Sequence, residues 1–297
     1  MEFLRTPSER FEAIKDYPFG ENYMEVGDGM RMHYVDEGAK EGEVVVMLHG
    51  EPSWSYLYRK MIPVFVENGF RAIAPDLIGF GKSDKPTKQE DYTYQAHLDW
   101  LEPIFANLGL QKITLFLQDW GGLLGLRLLE KYDHIIDRIV IANTFLPAGY
   151  RKSNEAFTQW QQFSQMVPEF PVGKVINMGT ISKLSQEVTA AYDAPFPDET
   201  YKAGARIFPS LVPFGEDNPE CLKNRKVWAF LNKYEKPTLT LFSDSDPIMK
   251  GIEKFFMRQI PGTRNMPHQI IANTGHFVQE EKGELLAKQV VAFIQNH

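Results

Sequence analysis

The chain of 297 residues has little of several features that mark particular classes of protein. Cys221 is its only cysteine, which excludes an intrachain disulfide and argues against a thiolate metal cluster. No apolar run is long enough to span a bilayer, and residues 1–17 lack the apolar stretch of a signal peptide. The net charge is -7 without a long basic run, which disfavours nucleic acid or membrane partners. We therefore expect a cytoplasmic protein, by default a monomer.

The sequence does have a regular alternation of apolar strands and helical patterns. The pattern predicts strands at 30–35, 44–48, 71–75, 113–117, 136–142, 237–242 and 269–271. It predicts helices at roughly 55–67, 94–108, 121–132, 222–234 and 283–295. This order is typical of the α/β class, with a mostly parallel central sheet flanked by helices. Ligands of such sheets bind beyond the carboxyl ends of the strands.

The alternation stops after Pro147. Residues 148–220 contain short helical patterns, many prolines and scattered aromatic residues. We interpret this segment as a helical cap inserted into an α/β main domain, which residues 1–147 and 221–297 form together.

Asp119 lies at the apex of a glycine-rich turn after the strand 113–117. An α/β-hydrolase usually carries serine there, in the G-x-S-x-G nucleophile elbow. Serine must lose a proton before it attacks, whereas a carboxylate is already ionised near neutral pH. Asp119 therefore favours displacement at carbon, followed by hydrolysis of the ester. The alternative is a helix cap or turn residue, which the adjacent Gly121 and Gly122 disfavour.

Asp246 and His276 follow later strands, in the chain order nucleophile, acid, histidine. Asp246 would orient the imidazole, and His276 would take a proton from water. Asp244 competes for the acid role, but its spacing to Pro247 is less suitable, so we expect it to form a turn. His276 alone could be a structural histidine; the three residues together indicate a catalytic triad.

Four segments together resemble the haloalkane dehalogenases, in the subfamily with an Asp-His-Asp triad and two halide-binding tryptophans. They are residues 49–54, 118–122, 246–247 and 275–280. In the cap, 157–160 and 194–198 resemble the same subfamily, and the similarity runs from about Tyr17 to the end of the chain. It implies the α/β-hydrolase fold with a helical cap. It also implies hydrolysis of a haloalkane to a primary alcohol, halide and a proton, without a metal or organic cofactor.

The resemblance also implies a role for each residue of the site. Asp119, Asp246 and His276 would form the triad, while the indoles of Trp120 and Trp160 would bind the halide. Backbone N–H groups of Glu51 and Trp120 would form the oxyanion hole, and the Glu51 side chain would help to hold the hydrolytic water. The positions that match the family's substrate pocket are Leu123, Phe157, Phe208, Pro209, Val212, Ile248, Met249 and Phe277.

Other functions on the same fold remain as alternatives. An epoxide hydrolase also uses an aspartate nucleophile and needs acidic donors, for which Tyr150, Tyr192 and Tyr201 are available. Gln118, however, stands where that family usually has histidine. A fluoroacetate dehalogenase is disfavoured, because that family carries an Asp-Arg elbow. A serine esterase is excluded, because Asp119 stands in place of the serine nucleophile. A non-catalytic binding protein on the hydrolase fold is disfavoured by the intact triad.

Overall fold

The computed structural model describes residues 1–297 and is organised around one eight-stranded sheet. Its strands, together with those of a separate two-stranded sheet, are β1 (Phe3–Leu4), β2 (Asn22–Glu25), β3 (Arg31–Glu37), β4 (Val44–Leu48), β5 (Arg71–Pro75), β6 (Lys85–Pro86), β7 (Ile113–Gln118), β8 (Ile136–Ala142), β9 (Thr238–Ser243) and β10 (Gln269–Ile271). The large sheet has the order β10-β9-β8-β7-β4-β5-β3-β2, and β1 pairs with β6.

In this order of the large sheet, the six strands from β10 to β5 are parallel, and β3 and β2 are antiparallel to their neighbours. All residues of β4, β5 and β7 are buried, because helices cover both faces of the sheet. These strands match the predicted apolar runs. The carboxyl ends of β4, β7, β8 and β9 lie at one edge and present the loops after them to the same region. The predicted α/β class is confirmed.

The α-helices are α1 (Ile62–Glu67), α2 (Tyr94–Asn107), α3 (Trp120–Tyr132), α4 (Glu155–Met166), α5 (Val172–Met178), α6 (Gln186–Asp193), α7 (Ala203–Leu211), α8 (Pro219–Leu231), α9 (Glu253–Gln259) and α10 (Val278–Asn296). The predicted helix 55–67 is wrong as one element, because a 3₁₀ turn at Ser55–Tyr58 precedes α1. Helix α10 begins five residues before the predicted start and is kinked at Lys282. No helix of the fold has the length and apolar character needed to cross a bilayer.

Four helices, α4 to α7, lie in the segment 148–220, which we call the cap. Within it α4 packs against α7, and α5 packs against α6. The α4–α7 pair covers the carboxyl end of β7, where Phe208 of α7 contacts the ring of Trp120. The cap thereby closes a cavity over the strand ends.

Candidate active site

The turn between β7 and α3 holds Asp119 in a backbone conformation that side chains rarely adopt. Its φ is 48° and its ψ is -127°. This conformation is strained for a residue with a Cβ atom, and such strain is concentrated at functional sites. The turn is kept by close backbone approaches: a Cβ at Gly121 would lie 2.0 Å from the Leu48 oxygen, and one at Gly122 would lie 2.1 Å from Thr144 Oγ1. The Thr144 hydroxyl also donates to the Asp119 carbonyl at 2.6 Å.

Asp119, Asp246 and His276 meet at the carboxyl ends of the strands in the order that a catalytic triad needs. His276 Nδ1 lies 2.7 Å from Asp246 Oδ2, and His276 Nε2 lies 3.4 Å from Asp119 Oδ2. Asp246 is fully buried, and its Oδ1 accepts bonds from the backbone N–H groups of Ile248 and Met249 at 2.8 and 3.1 Å. The imidazole is therefore held through Nδ1, and Nε2 faces the carboxylate of Asp119.

The two carboxylates change the proton affinity of His276. Burial alone would lower the pKa of His276, but the charge of Asp246 and the hydrogen bond with Asp119 raise this pKa to about 10. Burial would raise the pKa of Asp246, yet His276 and two backbone N–H groups hold this pKa below its ordinary value.

Glu51 approaches Asp119 from the loop after β4. Its backbone N–H donates to Asp119 Oδ1 at 2.8 Å. Its side chain is buried, and Oε1 has no hydrogen-bond partner in the protein. Burial and the nearby charge of Asp119 raise the pKa of Glu51 well above its ordinary value, which favours the neutral carboxyl group. Trp120 begins α3, so its backbone N–H is among the first amides of the helix, which have no partner inside it.

Four of the five tryptophans form two groups that differ in the surroundings of their indole N–H. Trp54 and Trp228 donate to backbone carbonyls at 3.2 and 2.9 Å, as buried indoles usually do. Trp120 and Trp160 instead line the same cavity. The structure shows no hydrogen bond from either of these two indole N–H groups to the protein. The main domain supplies the first of these two donors and the cap supplies the second.

The cavity between the cap and the strand ends has a volume of about 960 Å³ and a mostly apolar lining. Seven of the predicted pocket residues line it, namely Leu123, Phe157, Pro209, Val212, Ile248, Met249 and Phe277. Phe208, the eighth predicted pocket residue, is not among the residues that line the cavity. This residue is fully buried, and its ring packs against Trp120 with a centroid distance of 4.5 Å. Because α7 turns Phe208 toward the main domain, the side chain supports the indole of Trp120 from outside the cavity.

The sequence patterns did not identify two polar residues that contact His276. Gln118 Nε2 lies 3.1 Å from His276 Nε2. Asn143 donates from its side chain to the backbone oxygens of Gly275 and His276 at 3.1 and 2.9 Å. Gln118 ends β7, and Asn143 follows β8 directly. A search for polar residues at the carboxyl ends of buried strands would have found both.

Asp244 and His49 stabilise loops near the site. Asp244, the rival for the acid, accepts bonds from the Asn273 N–H at 3.0 Å and the Ser245 hydroxyl at 2.8 Å. It is therefore a turn residue. His49 is buried, and its Nε2 accepts from the Leu77 N–H at 2.9 Å.

The tyrosines that an epoxide hydrolase would need do not converge on the nucleophile. Tyr150 lines the cavity but is 69% exposed. Tyr192 is buried and donates to Glu280 at 2.7 Å, and Tyr201 does not line the cavity. No pair of phenol groups is therefore placed to protonate an epoxide oxygen.

Comparison with known proteins agrees with this geometry. Residues 43–283 match the family described as alpha/beta hydrolase fold. The chain is 51% identical to a haloalkane dehalogenase of Psychrobacter cryohalolentis, across 100% of this chain and 99% of the relative. It is 47% identical to haloalkane dehalogenase 1 of Mycobacterium tuberculosis, across 99% of each chain. The structure of a tetrameric haloalkane dehalogenase from Paraglaciecola agarilytica superposes with a TM-score of 0.92 at 35% identity, over 98% of both chains. The chain therefore belongs to the α/β-hydrolase fold family and, within it, to the haloalkane dehalogenases.

Proposed function

We propose that this haloalkane dehalogenase works in two steps, through an alkyl ester on Asp119. One observation carries the proposal: the Asp119 carboxylate faces an apolar cavity beside two unpartnered indole N–H groups and lies 3.4 Å from His276 Nε2. This arrangement supplies a nucleophile, donors for a leaving anion and a base, each at the place where the chemistry needs it.

In the first step, a carboxylate oxygen of Asp119 attacks the carbon that bears the halogen. A carbon–oxygen bond forms, and the carbon–halogen bond breaks with its electron pair leaving on the halide. No proton moves, so His276 is idle. The indole N–H groups of Trp120 and Trp160 stabilise the developing charge, because neutral donors in an apolar cavity are sufficient for a weakly basic anion.

In the second step, His276 removes a proton from water, and the resulting hydroxide attacks the carboxyl carbon of the ester. The backbone N–H groups of Glu51 and Trp120 donate to the oxyanion of the tetrahedral intermediate. The alkyl oxygen leaves as the alcohol, one proton is released, and Asp119 returns to its carboxylate form. Because alkylation removes the charge of Asp119, the pKa of His276 falls at the stage where a neutral base is needed.

The experiment that tests this route combines halide release with trapping of the ester. With a short bromoalkane, the wild-type enzyme releases bromide continuously. The His276→Gln variant should release about one bromide per enzyme and then slow by about 10²–10⁴-fold, with the alkyl mass on the Asp119 peptide. The Asp119→Ala variant is the control and should gain no mass. Turnover of an epoxide without bromide release from any bromoalkane would contradict the proposal.

Three further expectations belong to the same proposal. We propose that residues 148–220 act as a cap domain that excludes bulk water from the ester. The monomeric state and the cytoplasmic location stay predictions, and the Paraglaciecola relative is described as tetrameric.

A further inference from the structure

Glu281, a carboxylate outside the triad, joins the cap to the loop that carries His276. In α10, Glu281 Oε1 accepts from the backbone N–H groups of Ile181 and Ser182 at 2.9 and 2.7 Å and from the Ser182 hydroxyl at 2.6 Å. Glu281 Oε2 accepts from the Gly275 N–H at 2.6 Å. One side chain therefore holds two segments that are far apart in sequence.

The two segments also contact each other directly. The Phe277 N–H donates to the Gly179 oxygen at 3.3 Å, and a Cβ at Gly275 would lie 2.3 Å from the same oxygen. Residues of both segments, 179–181 and 275–277, line the cavity. Residues 179–181 of the cap thus form a wall of the cavity next to His276. Hydrogen bonds from Ile181 and Ser182 to Glu281 help to hold this wall in place.

The loop that carries His276 has anchors of two kinds. From the main domain, Asn143 donates to the backbone oxygens of Gly275 and His276. The Gly275 N–H, on the other side of the loop, is held by Glu281, which also binds the cap. Asp246 orients the ring through Nδ1, but the position of the ring follows the backbone of this loop. Glu281 therefore couples the position of the cap to the position of the base.

We propose that Glu281 is a positioning residue for ester hydrolysis, which it supports by fixing the His276 loop against the cap. The proposal rests on the two-step route above. Because His276 is idle during alkylation, loss of the Glu281 contacts slows the second step and spares the first. A general loosening of the fold would instead affect substrate binding and both steps.

The test measures the two steps separately. Rapid-quench single turnovers with a short bromoalkane give alkylation from bromide release and hydrolysis from the decay of the alkylated Asp119 peptide. We expect Glu281→Ala to slow hydrolysis by about tenfold or more, since small misplacements of a catalytic group are costly, while alkylation changes by less than about twofold. The alkylated enzyme then accumulates to a larger fraction than in the wild type.

A second variant separates the two contacts of the carboxylate. In Glu281→Gln, the amide oxygen still accepts from the cap donors, but the amide NH₂ cannot accept from the Gly275 N–H. We therefore expect slower hydrolysis in this variant although the cap stays bound. If Glu281→Ala does not fold, the Gln variant decides the question, and an unchanged hydrolysis rate there overturns the proposal.

Glu199 offers a matched control inside the cap. Its side chain accepts from the Phe170 N–H at 3.0 Å and from Lys202 Nζ at 2.6 Å, and it does not contact the His276 loop. Glu199→Gln reports what a weakened cap does by itself. If Glu281→Ala slows both steps equally, or neither, the proposal is wrong. If the wild type never forms an ester, the two-step route fails; if it forms the ester and hydrolysis ignores Glu281, only this proposal fails.

Discussion

The acid of the main-domain triad and the tryptophan of the cap are held in place by different forces. In the main domain, Asp246 accepts three directed hydrogen bonds, from the ring of His276 and from two backbone N–H groups. In the cap, Trp160 is held by aromatic packing against Phe163 and Phe170, at centroid distances of 5.9 and 5.8 Å. No hydrogen bond fixes its indole N–H.

This difference follows what each half has to do. Proton transfer from water requires a base within about 3 Å of the water and in the right direction. On the proposed route, the groups for hydrolysis therefore need several hydrogen bonds each, and the loops after the strands supply them. A halide is a sphere without a preferred direction, so a donor that is held only by packing can still bind it. The comparison predicts that main-domain changes are severe and specific to one step, and that cap changes are milder.

The largest effect is expected at Asp246. Asp246→Asn keeps the size of the side chain but removes the negative charge that stabilises the protonated imidazole and raises the pKa of His276. We expect ester hydrolysis to fall by about 10²-fold or more, with alkylation nearly unchanged, as measured by rapid-quench single turnovers. Asp244→Asn, two residues away, is the matched control: Asp244 accepts from the Asn273 N–H but does not touch the imidazole, so hydrolysis should fall far less than in Asp246→Asn. Equal losses in both steps would contradict the division between the two halves.

A smaller effect concerns stability and acid pH. Asp76 is fully buried under the main-domain loops and accepts from the backbone N–H groups of Ser55 and Lys82 at 2.7 and 2.8 Å. Burial would raise the pKa of Asp76, but the charge and hydrogen bond of His33 and the backbone donors lower it to about 2. Because the folded pKa lies below the unfolded one, the stabilisation is present above about pH 4 and is lost as the pH falls toward 2.

The measurement for Asp76 is urea unfolding between pH 6 and 2. Wild type should lose about 2 kcal/mol of unfolding free energy from this group across the range, and Asp76→Asn should lack that part of the pH dependence. Asp217→Asn, an exposed aspartate of the cap that accepts no hydrogen bond in the structure, is the control and should keep the wild-type slope. The same slope in wild type and Asp76→Asn would show that this carboxylate is not a source of main-domain stability.

Much of the main domain could be predicted because its signals are local. Buried parallel strands are continuous apolar runs, and β4, β5, β7 and β8 lie where such runs occur. The errors arose at proline and glycine. Pro63 lies in the first turn of α1, where its missing backbone N–H leaves no helical hydrogen bond unmade. Helix α1 therefore begins beside Pro63, and residues 55–58 form a separate 3₁₀ turn. Gly283 suggested a helix start, but α10 continues through it.

The site was predictable to the extent that it depends on strand ends. Asp119 and His276 directly follow or nearly follow strands, so their sequence positions placed them together. Phe208 and Glu281 could not be placed in this way, because their contacts join the cap to the main domain across long sequence separations. No local periodicity encodes such a contact. The cap side of the site therefore needs the structure.

The smallest effect is expected at Trp160, and it tests the cap side of the comparison. Trp160→Phe keeps the aromatic packing but removes the indole N–H, which costs about 1 kcal/mol for a hydrogen bond, or about five- to tenfold in bromide affinity. Trp120→Phe should weaken binding more, because Phe208 at 4.5 Å and Tyr94 at 5.3 Å clamp that indole beside Asp119. Bromide titrations followed by tryptophan fluorescence measure both. An unchanged affinity in Trp160→Phe would remove the cap from halide binding. Equal losses in the two variants would show that the closer packing around Trp120 does not make it the stronger donor.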